Sequence, residues 1–294
     1  MSNILITGGS GFVGSNLARY FAPKQKTIIS YFQSSIPDDL LEITKAVQLD
    51  IRDAEEVSTI IKQMLPEVVI HAAGNKNVRY CEACPDEAYQ TNALGTRNIA
   101  RACRQIGAYM VYISTDLVFS CTEGGYKETD EPNPNLVYGK TKLQGEDFTL
   151  QELENAAICR SGGIYGRKAP LLGWLSSELS RDRVVECFTD IFNTPTYAEN
   201  LAETISIIIQ KRLSGIFHTV GREKVNRFQF FQSYARMFDM NAELLYPVQA
   251  GDQTAKMLLQ PDSSLSSEQT STRLGVTFNS VTEGFTRLKA GGGV

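Results

Sequence analysis

Histidine and tryptophan are scarce in this chain of 294 residues, which contains two histidines, one tryptophan and six cysteines. Cys81 and Cys84 have the spacing of half a zinc site, but no second pair of this kind follows. The two histidines can hardly complete a shell of four ligands. A chain of this length also does not resemble a small disulfide-stapled domain. We therefore predict free cysteines and no metal site.

The chain also lacks a long apolar run and an excess of basic residues. No run approaches the ~20 apolar residues that span a bilayer, and the first predicted strand begins too early for a signal peptide. The net charge is −4 and the isoelectric point is near 5.4, whereas proteins that bind nucleic acids usually carry a basic surface. The sequence therefore predicts a cytoplasmic protein with neither a membrane nor a nucleic acid as partner.

A glycine-rich stretch near the N-terminus is the strongest signal in the sequence. The apolar residues 4–6 are typical of a buried parallel strand, and glycines at 8, 11 and 14 lead from it into a helix. This arrangement binds the pyrophosphate of a dinucleotide, although a glycine-rich turn without a ligand is the alternative. Gly8 allows the turn, Gly11 lets the backbone approach phosphate, and Gly14 lets the helix lie close to the strand. The other predicted cofactor contacts in this stretch are Ser10, Phe12 and Val13.

The second predicted strand, residues 26–31, ends where enzymes that use NAD usually hold the ribose hydroxyls with an acid. This chain has Tyr31 there, followed by two uncharged residues and then by Ser34 and Ser35. Without a carboxylate to repel it, the 2′-phosphate of NADP could bind these two hydroxyls, although no arginine lies immediately beside them in the sequence. We predict that Tyr31, Ser34 and Ser35 contact the cofactor and that NADP is preferred, with NAD as the alternative.

Two further strands end in residues suited to a cofactor. A strand at residues 46–49 leads to Asp50, which can accept a hydrogen bond from the adenine amino group, and to Ile51, which can pack against the adenine ring. A strand at residues 67–71 is followed by three small residues, which let a cofactor pass close to the edge of the sheet. These residues are Ala72, Ala73 and Gly74.

The order of the predicted elements indicates the fold class. Strands and helices, including one long helix at residues 86–105, alternate up to a sixth strand at residues 156–159. This alternation is typical of an α/β protein with a doubly wound parallel sheet, the Rossmann fold. We assign residues 1–160 to a dinucleotide-binding Rossmann domain. Residues 161–294 have shorter helices and more loops, and we interpret them as a smaller C-terminal substrate-binding lobe that is partly interleaved with the sheet.

Three polar residues suggest the chemistry. Thr115 follows the fifth strand, and Tyr138 and Lys142 lie four residues apart, on one face of a predicted helix. A phenol has a pKa near ~10, and an ammonium at ~4 Å contributes about 4 kcal/mol at an effective dielectric of ~20. Lys142 could therefore lower the pKa of Tyr138 by up to about three units, towards neutrality, while Thr115 holds a carbonyl oxygen. An exposed helix that carries Tyr and Lys by chance is the alternative.

Several motifs together resemble one known family, the extended short-chain dehydrogenases/reductases. Within it the chain is most similar to the nucleotide-sugar enzymes of the dTDP-4-dehydrorhamnose reductase type, and the similarity extends over nearly all of residues 3–290. Besides the pair Tyr138 and Lys142, the motifs are TGGSGFVGSNL at residues 7–17, HAAG at 71–74, YISTDLVF at 112–119 and FNTPTYA at 192–198.

This resemblance implies a reaction and a set of site residues. Thr115, Tyr138 and Lys142 would be the catalytic triad, and Lys142 would also contact the nicotinamide ribose. Hydride would pass from nicotinamide C4 to a sugar carbon while Tyr138 supplies the proton. Further contacts are expected to the cofactor from Ile164 and to the substrate from Lys76, Asp116 and Gly163.

The chain departs from the family pattern at several positions. Leu117 replaces the Glu that related dehydratases use for acid–base work, which argues against dehydration. Gly163 lies in a loop where reductases often carry a Trp, and Gln260 lies where they tend to carry the Arg that contacts the nucleotide diphosphate. The stretch at residues 75–79 is more similar to epimerases. The identity of the sugar is therefore not implied.

Three hypotheses follow from these residues. The first is an NAD(P)-dependent oxidoreductase that reduces a keto group on a nucleotide-linked sugar. The second is a nucleotide-sugar epimerase with the same triad and tightly bound NAD. The third is a non-catalytic regulatory subunit, because the regulatory subunit of methionine adenosyltransferase has this fold and resembles the chain at the HAA and Tyr-Lys motifs. A homodimer is a further possibility.

Overall fold

A seven-stranded parallel sheet forms the centre of the computed structural model, which describes residues 3–251 and 258–292 of the chain. Its strand order is β11-β6-β5-β4-β1-β2-β3, and every neighbouring pair is parallel. The strands are β1 (Ile4–Thr7), β2 (Thr27–Tyr31), β3 (Lys45–Gln48), β4 (Val68–His71), β5 (Tyr109–Thr115), β6 (Ala156–Ser161) and β11 (Gly215–His218). The order reverses between β1 and β4, which is where open α/β sheets bind ligands beyond the carboxyl ends of their strands.

Helices cover both faces of this sheet, so the predicted doubly wound α/β fold is confirmed. One face packs against α1 (Phe12–Phe21) and α9 (Ala198–Gln210), through residues such as Leu17 and Ile205. The other face packs against α3 (Ala54–Met64) and α6 (Gly95–Ile106), through residues such as Val57. The inner strands β1, β4, β5 and β6 are buried along their whole length because helices cover both of their faces, whereas the edge strand β3 is mostly exposed.

The predicted helix at residues 86–105 is present, but it is not a regular α-helix throughout. After α4 (Val78–Ala83), the chain is helical without a break through α5 (Pro85–Ala88), a π-helical segment (Tyr89–Leu94) and α6. A π-helical turn inserts an extra residue and changes the direction of the side chains that follow it. The buried amide of Asn92 lies in this segment and reaches the loop after β4, which a regular helical pattern does not reveal.

A separate apolar cluster forms beside the carboxyl ends of the central strands. It contains buried residues from α8 (Pro170–Leu179), α10 (Arg227–Met237) and α12 (Val281–Ala290), together with the parallel pair β8 (Val185–Phe188) and β13 (Leu245–Val248). The remaining elements are α2 (Asp38–Leu41), α7 (Val137–Glu152), α11 (Glu268–Leu274) and the two-residue strands β7 (Ile164–Tyr165), β9 (Phe192–Asn193), β10 (Thr196–Tyr197) and β12 (Val225–Asn226). The seventh strand of the central sheet also comes from this later part of the chain. The division at residue 160 stays a prediction.

Two composition-based expectations can be compared with the fold. All six cysteines are free, as predicted. Within the described residues, no helix combines the length and the apolar character that crossing a bilayer requires. The cytoplasmic location stays a prediction.

Candidate active site

The glycine turn between β1 and α1 has the geometry that a pyrophosphate needs. Gly8 has a φ of +69°, which disfavours any residue with a side chain, and a Cβ there would lie 2.8 Å from the Cα of Ala73. The backbone N–H of Gly11 donates to the carbonyl of Gly8 at 2.9 Å. No side chain caps α1, so its first N–H groups stay available to an anion. A Cβ at Gly14 would overlap the Gly8 carbonyl, which explains the close approach of helix and strand.

A cavity of about 650 Å³ extends from this turn along the ends of β2 and β3. It is lined by most of the residues predicted to hold the adenosine half of a dinucleotide, whereas Ser35 is exposed and does not line it. Of the predicted residues, the lining includes Gly8, Ser10, Gly11, Tyr31, Ser34, Asp50, Ile51, Ala72, Ala73 and Gly74.

Arg52 also lines this cavity and supplies the cation that the sequence does not place beside Ser34. Its guanidinium lies 5.1 Å from the centre of the Phe32 ring. Nε and Nη2 donate to the carboxylate of Asp50, at 2.9 Å and 2.6 Å for the shortest contacts. The hydrogen bond from Arg52 holds the pKa of Asp50 below its ordinary value. Asp50 is therefore an ion-pair partner of Arg52 as well as the predicted acceptor for adenine.

A second cavity, of about 320 Å³, joins the glycine turn to the end of β5 and contains the predicted triad. Thr115, Tyr138 and Lys142 all line it, so the fold brings together three residues from β5 and α7. The predicted residues Phe12, Val13, Gly14 and Ile164 line it as well. The predicted substrate contacts Lys76, Asp116 and Gly163 also lie on its wall.

The Lys142 side chain is buried and points to the backbone of β5. Its Nζ donates to the carbonyl of Ile113 at 2.7 Å and lies 4.0 Å from the centre of the Tyr112 ring. Burial lowers the pKa of Lys142 to about 7, and the nearby Glu146 carboxylate acts in the opposite direction. The charge on this lysine is therefore sensitive to pH near neutrality.

The predicted decrease in the pKa of Tyr138 is wrong. Burial raises the pKa of its phenol above the ordinary value, and the charge of Asp116 raises it further. The hydroxyl of Thr115 beside it lowers the pKa only in part. The reason for the difference is that the sequence argument counted the attraction of Lys142 but not the loss of water from the phenol.

His71 and Asn92 hold the loop between β4 and α4 in place. The imidazole of His71 is buried, with Nδ1 2.7 Å from the hydroxyl of Thr7 and Nε2 3.1 Å from the hydroxyl of Thr96. Because Thr96 donates to the Asn92 carbonyl and Thr7 accepts from Ala73 N–H, the ring proton is assigned to Nε2. Burial lowers the pKa of His71 to about 3, so the ring is neutral and structural.

Asn92 is a site residue that sequence reasoning missed. Its carbonyl oxygen accepts from the backbone N–H of Asn75 at 2.7 Å, and its amide donates to the Asn75 carbonyl at 3.0 Å. The same amide donates to the hydroxyl of Thr141 on α7 at 3.2 Å. Asn92 therefore fixes the loop that borders both cavities relative to the helix that carries Tyr138. Its position in a π-helical turn gives no signal in the apolar pattern.

Asp116 is a buried carboxyl group at the junction of the site. Its two oxygens accept from the hydroxyls of Thr115 at 2.9 Å and Ser263 at 2.7 Å. Burial nevertheless raises its pKa from 3.8 to about 6, because two neutral donors only partly replace the lost water. The group is thus protonated in a weakly acidic solution and ionised at neutral pH.

The raised pKa predicts a pH-dependent effect of Asp116→Asn on stability. The folded protein binds the Asp116 proton more tightly than the unfolded chain, so this contribution to stability is present below pH ~4 and is lost as the pH rises through about 6. At about 1.36 kcal/mol per pKa unit, the free energy of unfolding of the wild type relative to Asp116→Asn should fall by up to about 3 kcal/mol over this range. Urea unfolding of both proteins across the range measures this difference. A difference that does not change with pH would contradict the assignment.

A third cavity, of about 650 Å³, opens from the triad towards the C-terminal part of the chain. It shares Phe12, Lys76, Asp116, Gly163 and Ile164 with the triad cavity, so the two adjoin. Gln260 lines this third cavity, and its side-chain amide donates to the carbonyl of Leu259. The arrangement leaves space for a ligand larger than a free sugar beside Tyr138.

Comparison with known families agrees with this geometry. The family model described as the RmlD substrate binding domain matches residues 1–290. The chain belongs to the RmlD family. The predicted relationship to extended short-chain dehydrogenases/reductases of the dTDP-4-dehydrorhamnose reductase type is thereby confirmed.

Individual relatives of this RmlD-family chain include proteins with different names. Methionine adenosyltransferase 2 subunit beta of Mus musculus is 28% identical, over 83% of this chain and 75% of that protein. The dTDP-4-dehydrorhamnose reductase of Mycolicibacterium smegmatis is 28% identical, over 93% of this chain and 80% of that enzyme. The crystal structure of the dTDP-4-dehydrorhamnose reductase of Bacillus anthracis in complex with NADP has the same fold, with a TM-score of 0.85, 24% identity and 99% coverage of both chains.

Proposed function

We propose that this RmlD-family protein is an NAD(P)-dependent oxidoreductase that reduces a keto group on a nucleotide-linked sugar. The observation that carries the proposal is the set of three adjoining cavities, which share lining residues and contain the glycine turn and the triad Thr115, Tyr138 and Lys142. The reductase from Mycolicibacterium smegmatis, which matches most of this chain, supports the reaction type.

The residues of the chain fit a nicotinamide dinucleotide. The glycine turn forms a cradle that any Cβ at Gly8 would fill, and it faces the uncapped start of α1. When bound, the nicotinamide supplies the hydride that reduces the carbonyl carbon. The Bacillus anthracis structure with NADP supports the view that a chain with this fold accommodates the cofactor.

The side chains of the triad then have separate tasks. When the substrate binds, the Thr115 hydroxyl would turn its single proton from Asp116 to the carbonyl oxygen of the substrate and hold that oxygen near Tyr138. As the carbon receives the hydride, the Tyr138 hydroxyl gives its proton to that oxygen, so the ketone becomes an alcohol and the tyrosine a phenolate. Lys142 stabilises the phenolate with its ammonium group and contacts the nicotinamide ribose. Burial lowers the pKa of Lys142 to about 7, and the negative charge of the phenolate would raise that pKa and so favour the ammonium form.

The cofactor preference depends on the end of β2. We propose that NADP is preferred over NAD, because no carboxylate follows Tyr31 there and because Arg52 lines the adenosine cavity with Ser34. Asp50 engages Nε and Nη2 of Arg52, and within the described residues Nη1 makes no hydrogen bond. That nitrogen remains free to donate to a 2′-phosphate.

Substitutions at this end of the site should separate the two cofactors. Arg52→Gln should weaken NADP by about 10–100-fold, the usual range for hydrogen bonds to a charged group, and should weaken NAD much less. Ser34→Ala with Ser35→Ala should give a smaller difference in the same direction. Isothermal titration of each variant with NADP and NAD measures the effect, and Arg19→Gln is the control because it breaks a pair with Asp39. Equal losses for both cofactors would exclude this explanation of the preference.

An assay of nucleotide-linked keto sugars tests the proposed reaction directly. A panel that varies the base, the sugar and the position of the keto group should be incubated with NADPH and with NADH. Consumption of the reduced nicotinamide with at least one member of the panel, and formation of the matching alcohol, is the expected result. No consumption with any member would count against the reductase.

Simple observations distinguish the two alternative functions from that of a reductase. An epimerase would be purified with tightly bound NAD and would leave the total amount of reduced cofactor unchanged. The regulatory alternative is favoured by the similarity to methionine adenosyltransferase 2 subunit beta. In that case a protein partner would bind equally well after Tyr138→Phe. The complete triad in one cavity is the observation that favours catalysis.

Two further features of the proposal concern the whole molecule. We propose that residues 161–294 form most of the substrate-binding lobe, since α8, α10 and the loop before β10 border the third cavity. The predicted homodimer and the cytoplasmic location stay predictions. The proposed partner is a small sugar-containing substrate.

A further inference from the structure

The Lys142 side chain is buried beside the triad cavity without an ion-pair partner. Within residues 3–251 and 258–292, its Nζ forms no ion pair, and its one hydrogen bond goes to the carbonyl of Ile113 at 2.7 Å. An ammonium group has three N–H donors, so the other donors have no acceptor in the protein. Burial of a cation costs free energy unless other groups stabilise it. The charge of Lys142 therefore needs a further source of stabilisation.

The ring of Tyr112 lies against this ammonium group. The Nζ of Lys142 is 4.0 Å from the centre of the ring, well within the ~6 Å over which the face of an aromatic ring attracts a cation. Both side chains are buried, and this attraction is strongest where water is excluded. Tyr112 is not among the described residues that line the three cavities. Any effect of Tyr112 on the reaction would therefore act through Lys142.

Neighbouring residues hold the Tyr112 ring in place. Tyr112 is the register partner of His71 on β4, and the two rings lie 5.4 Å apart at 19°. Gly145 on α7 makes room for the phenol, because a Cβ there would lie 2.5 Å from the Tyr112 hydroxyl. The hydroxyl donates to the backbone carbonyl of Lys142 at 3.5 Å, which is a long hydrogen bond. The ring is therefore fixed between β4 and α7.

Arg160 is a second buried cation near an aromatic ring, and it is stabilised differently. Its guanidinium lies 5.1 Å from the centre of the Phe119 ring, but it also forms an ion pair with Glu146 at 2.7 Å. Lys142 lies closer to its ring and has no such pair. The ring therefore contributes a larger share of the stabilisation at Lys142 than at Arg160.

The other titratable groups around Lys142 do not replace the ring. His71 is neutral, because burial lowers its pKa to about 3 and the charge of Lys142 acts in the same direction. Burial raises the pKa of the Tyr138 phenol, so this group is uncharged as well. The Glu146 carboxylate raises the pKa of Lys142, but it is already in an ion pair. Asp116, on the wall of the same cavity, accepts hydrogen bonds from two hydroxyls.

We propose that Tyr112 is a positioning residue for the reaction, because the face of its ring keeps Lys142 in the ammonium form at the triad cavity. The inference rests on the proposed function, in which Lys142 stabilises the Tyr138 phenolate and contacts the ribose. A carboxylate would neutralise the ammonium and bind its N–H groups in fixed directions. A ring face attracts the cation without an acceptor atom, so the remaining N–H donors stay available to the phenolate and the cofactor.

Fluorinated rings at position 112 test this inference. Tyr112→Phe keeps the face of the ring, and mono-, di- and trifluorophenylalanine at this position withdraw electrons from that face with little change in shape. The pKa of Lys142 can be measured from its Cε resonance in protein labelled with carbon-13 lysine, assigned by its absence in Lys142→Arg. The pKa should stay near that of the wild type in Tyr112→Phe. It should then fall with each added fluorine, by about one pH unit for the trifluoro ring.

The same series at Tyr109 is the matched control. Tyr109 is a buried tyrosine on the same strand, and the Arg212 guanidinium lies 5.2 Å from the centre of its ring. Its side chain belongs to the apolar cluster on the opposite face of the sheet from Tyr112. Fluorination at Tyr109 should therefore leave the pKa of Lys142 unchanged. The melting temperature reports whether each protein is folded, and if the trifluoro variant at position 112 does not fold, the monofluoro variant carries the comparison.

The pH dependence of turnover provides a second measurement. Lys142 acts as an ammonium group, so kcat/KM for the keto sugar should fall as the pH rises through the pKa of Lys142. A less electron-rich ring at position 112 should move this fall to lower pH, whereas the series at Tyr109 should not move it. A variant that only loosened the packing would lower kcat/KM without following the number of fluorine atoms.

The outcomes distinguish this inference from the proposed reaction. A Lys142 pKa that stays constant across the series at position 112, or that changes equally with the series at Tyr109, would overturn the role of Tyr112. A lower pKa with an unchanged pH profile of turnover would overturn it as well. In either case reduction of a keto sugar by the wild type would still stand. If the pKa falls with fluorination but no keto sugar is reduced, the effect of the ring on Lys142 stands and the reductase assignment fails.

Discussion

Replacing Tyr138 by Phe should reduce the turnover of the keto sugar by about 10²–10⁴-fold, the usual contribution of a positioned proton donor. The hydroxyl is the group in the triad cavity that can supply the proton, and its loss leaves an alkoxide without neutralisation. The remaining ring fills nearly the same space, so the fold and the affinity for NADP should be retained. Steady-state kinetics with saturating NADPH, together with calorimetry for NADP, separate the two effects.

The control for Tyr138→Phe is the same substitution at Tyr246, an exposed tyrosine on β13 that lines none of the three cavities described above. It should leave turnover unchanged. An unchanged rate in Tyr138→Phe would remove this hydroxyl from the mechanism. Unchanged binding of a protein partner, with no reductase activity in either protein, would instead favour the regulatory alternative.

Replacing Glu146 by Gln should lower the free energy of unfolding by about 3–5 kcal/mol, the usual cost of removing one partner of a buried ion pair. The Glu146 carboxylate accepts from Nη2 of Arg160 at 2.7 Å and from Nε at 3.0 Å, and both side chains are 2% exposed. The substitution leaves the Arg160 guanidinium buried without a counter-charge. Urea denaturation at neutral pH measures the loss.

Two comparisons show whether the effect comes from the unpaired charge. The double variant Glu146→Leu with Arg160→Met should recover much of the loss, because both charges are removed and replaced by apolar groups. Glu178→Gln should cost less than about 1 kcal/mol, since Glu178 pairs with the exposed Arg183 at 3.3 Å. Equal losses in Glu146→Gln and Glu178→Gln would contradict the importance of burial.

The same ion pair also supports the triad. Glu146 accepts a hydrogen bond from the hydroxyl of Ser114. Ser114 lies between Ile113, whose carbonyl accepts from Lys142, and Thr115. Ile113 and Ser114 at the end of β5 are thus each joined by a hydrogen bond to a side chain of α7, and the next residue is Thr115 of the triad. Any Glu146→Gln protein that remains folded should therefore also show lower turnover.

Much of the site could be predicted from the sequence because its signals are local. Gly8 is favoured by its positive φ, and Gly11 and Gly14 by close contacts with the carbonyl of Gly8, three and six residues earlier. The small residues after β4 and the spacing of Tyr138 and Lys142 follow from strand ends and from one helical face. Within each of these features the residues lie close together in the sequence, so the pattern can be recognised without the tertiary structure.

The sequence by itself therefore determined the α/β class, and it predicted the cofactor turn and the triad. Only the tertiary structure placed Arg52 on one cavity with Ser34, Asn92 beside the loop after β4 and Arg227 on the third cavity, since the elements that meet there are separated in the chain. The tertiary structure also decided the sign of the pKa shift of Tyr138. The burial of Tyr138 depends on which other elements cover its side chain, and the spacing of four residues between Tyr138 and Lys142 carries no information about that.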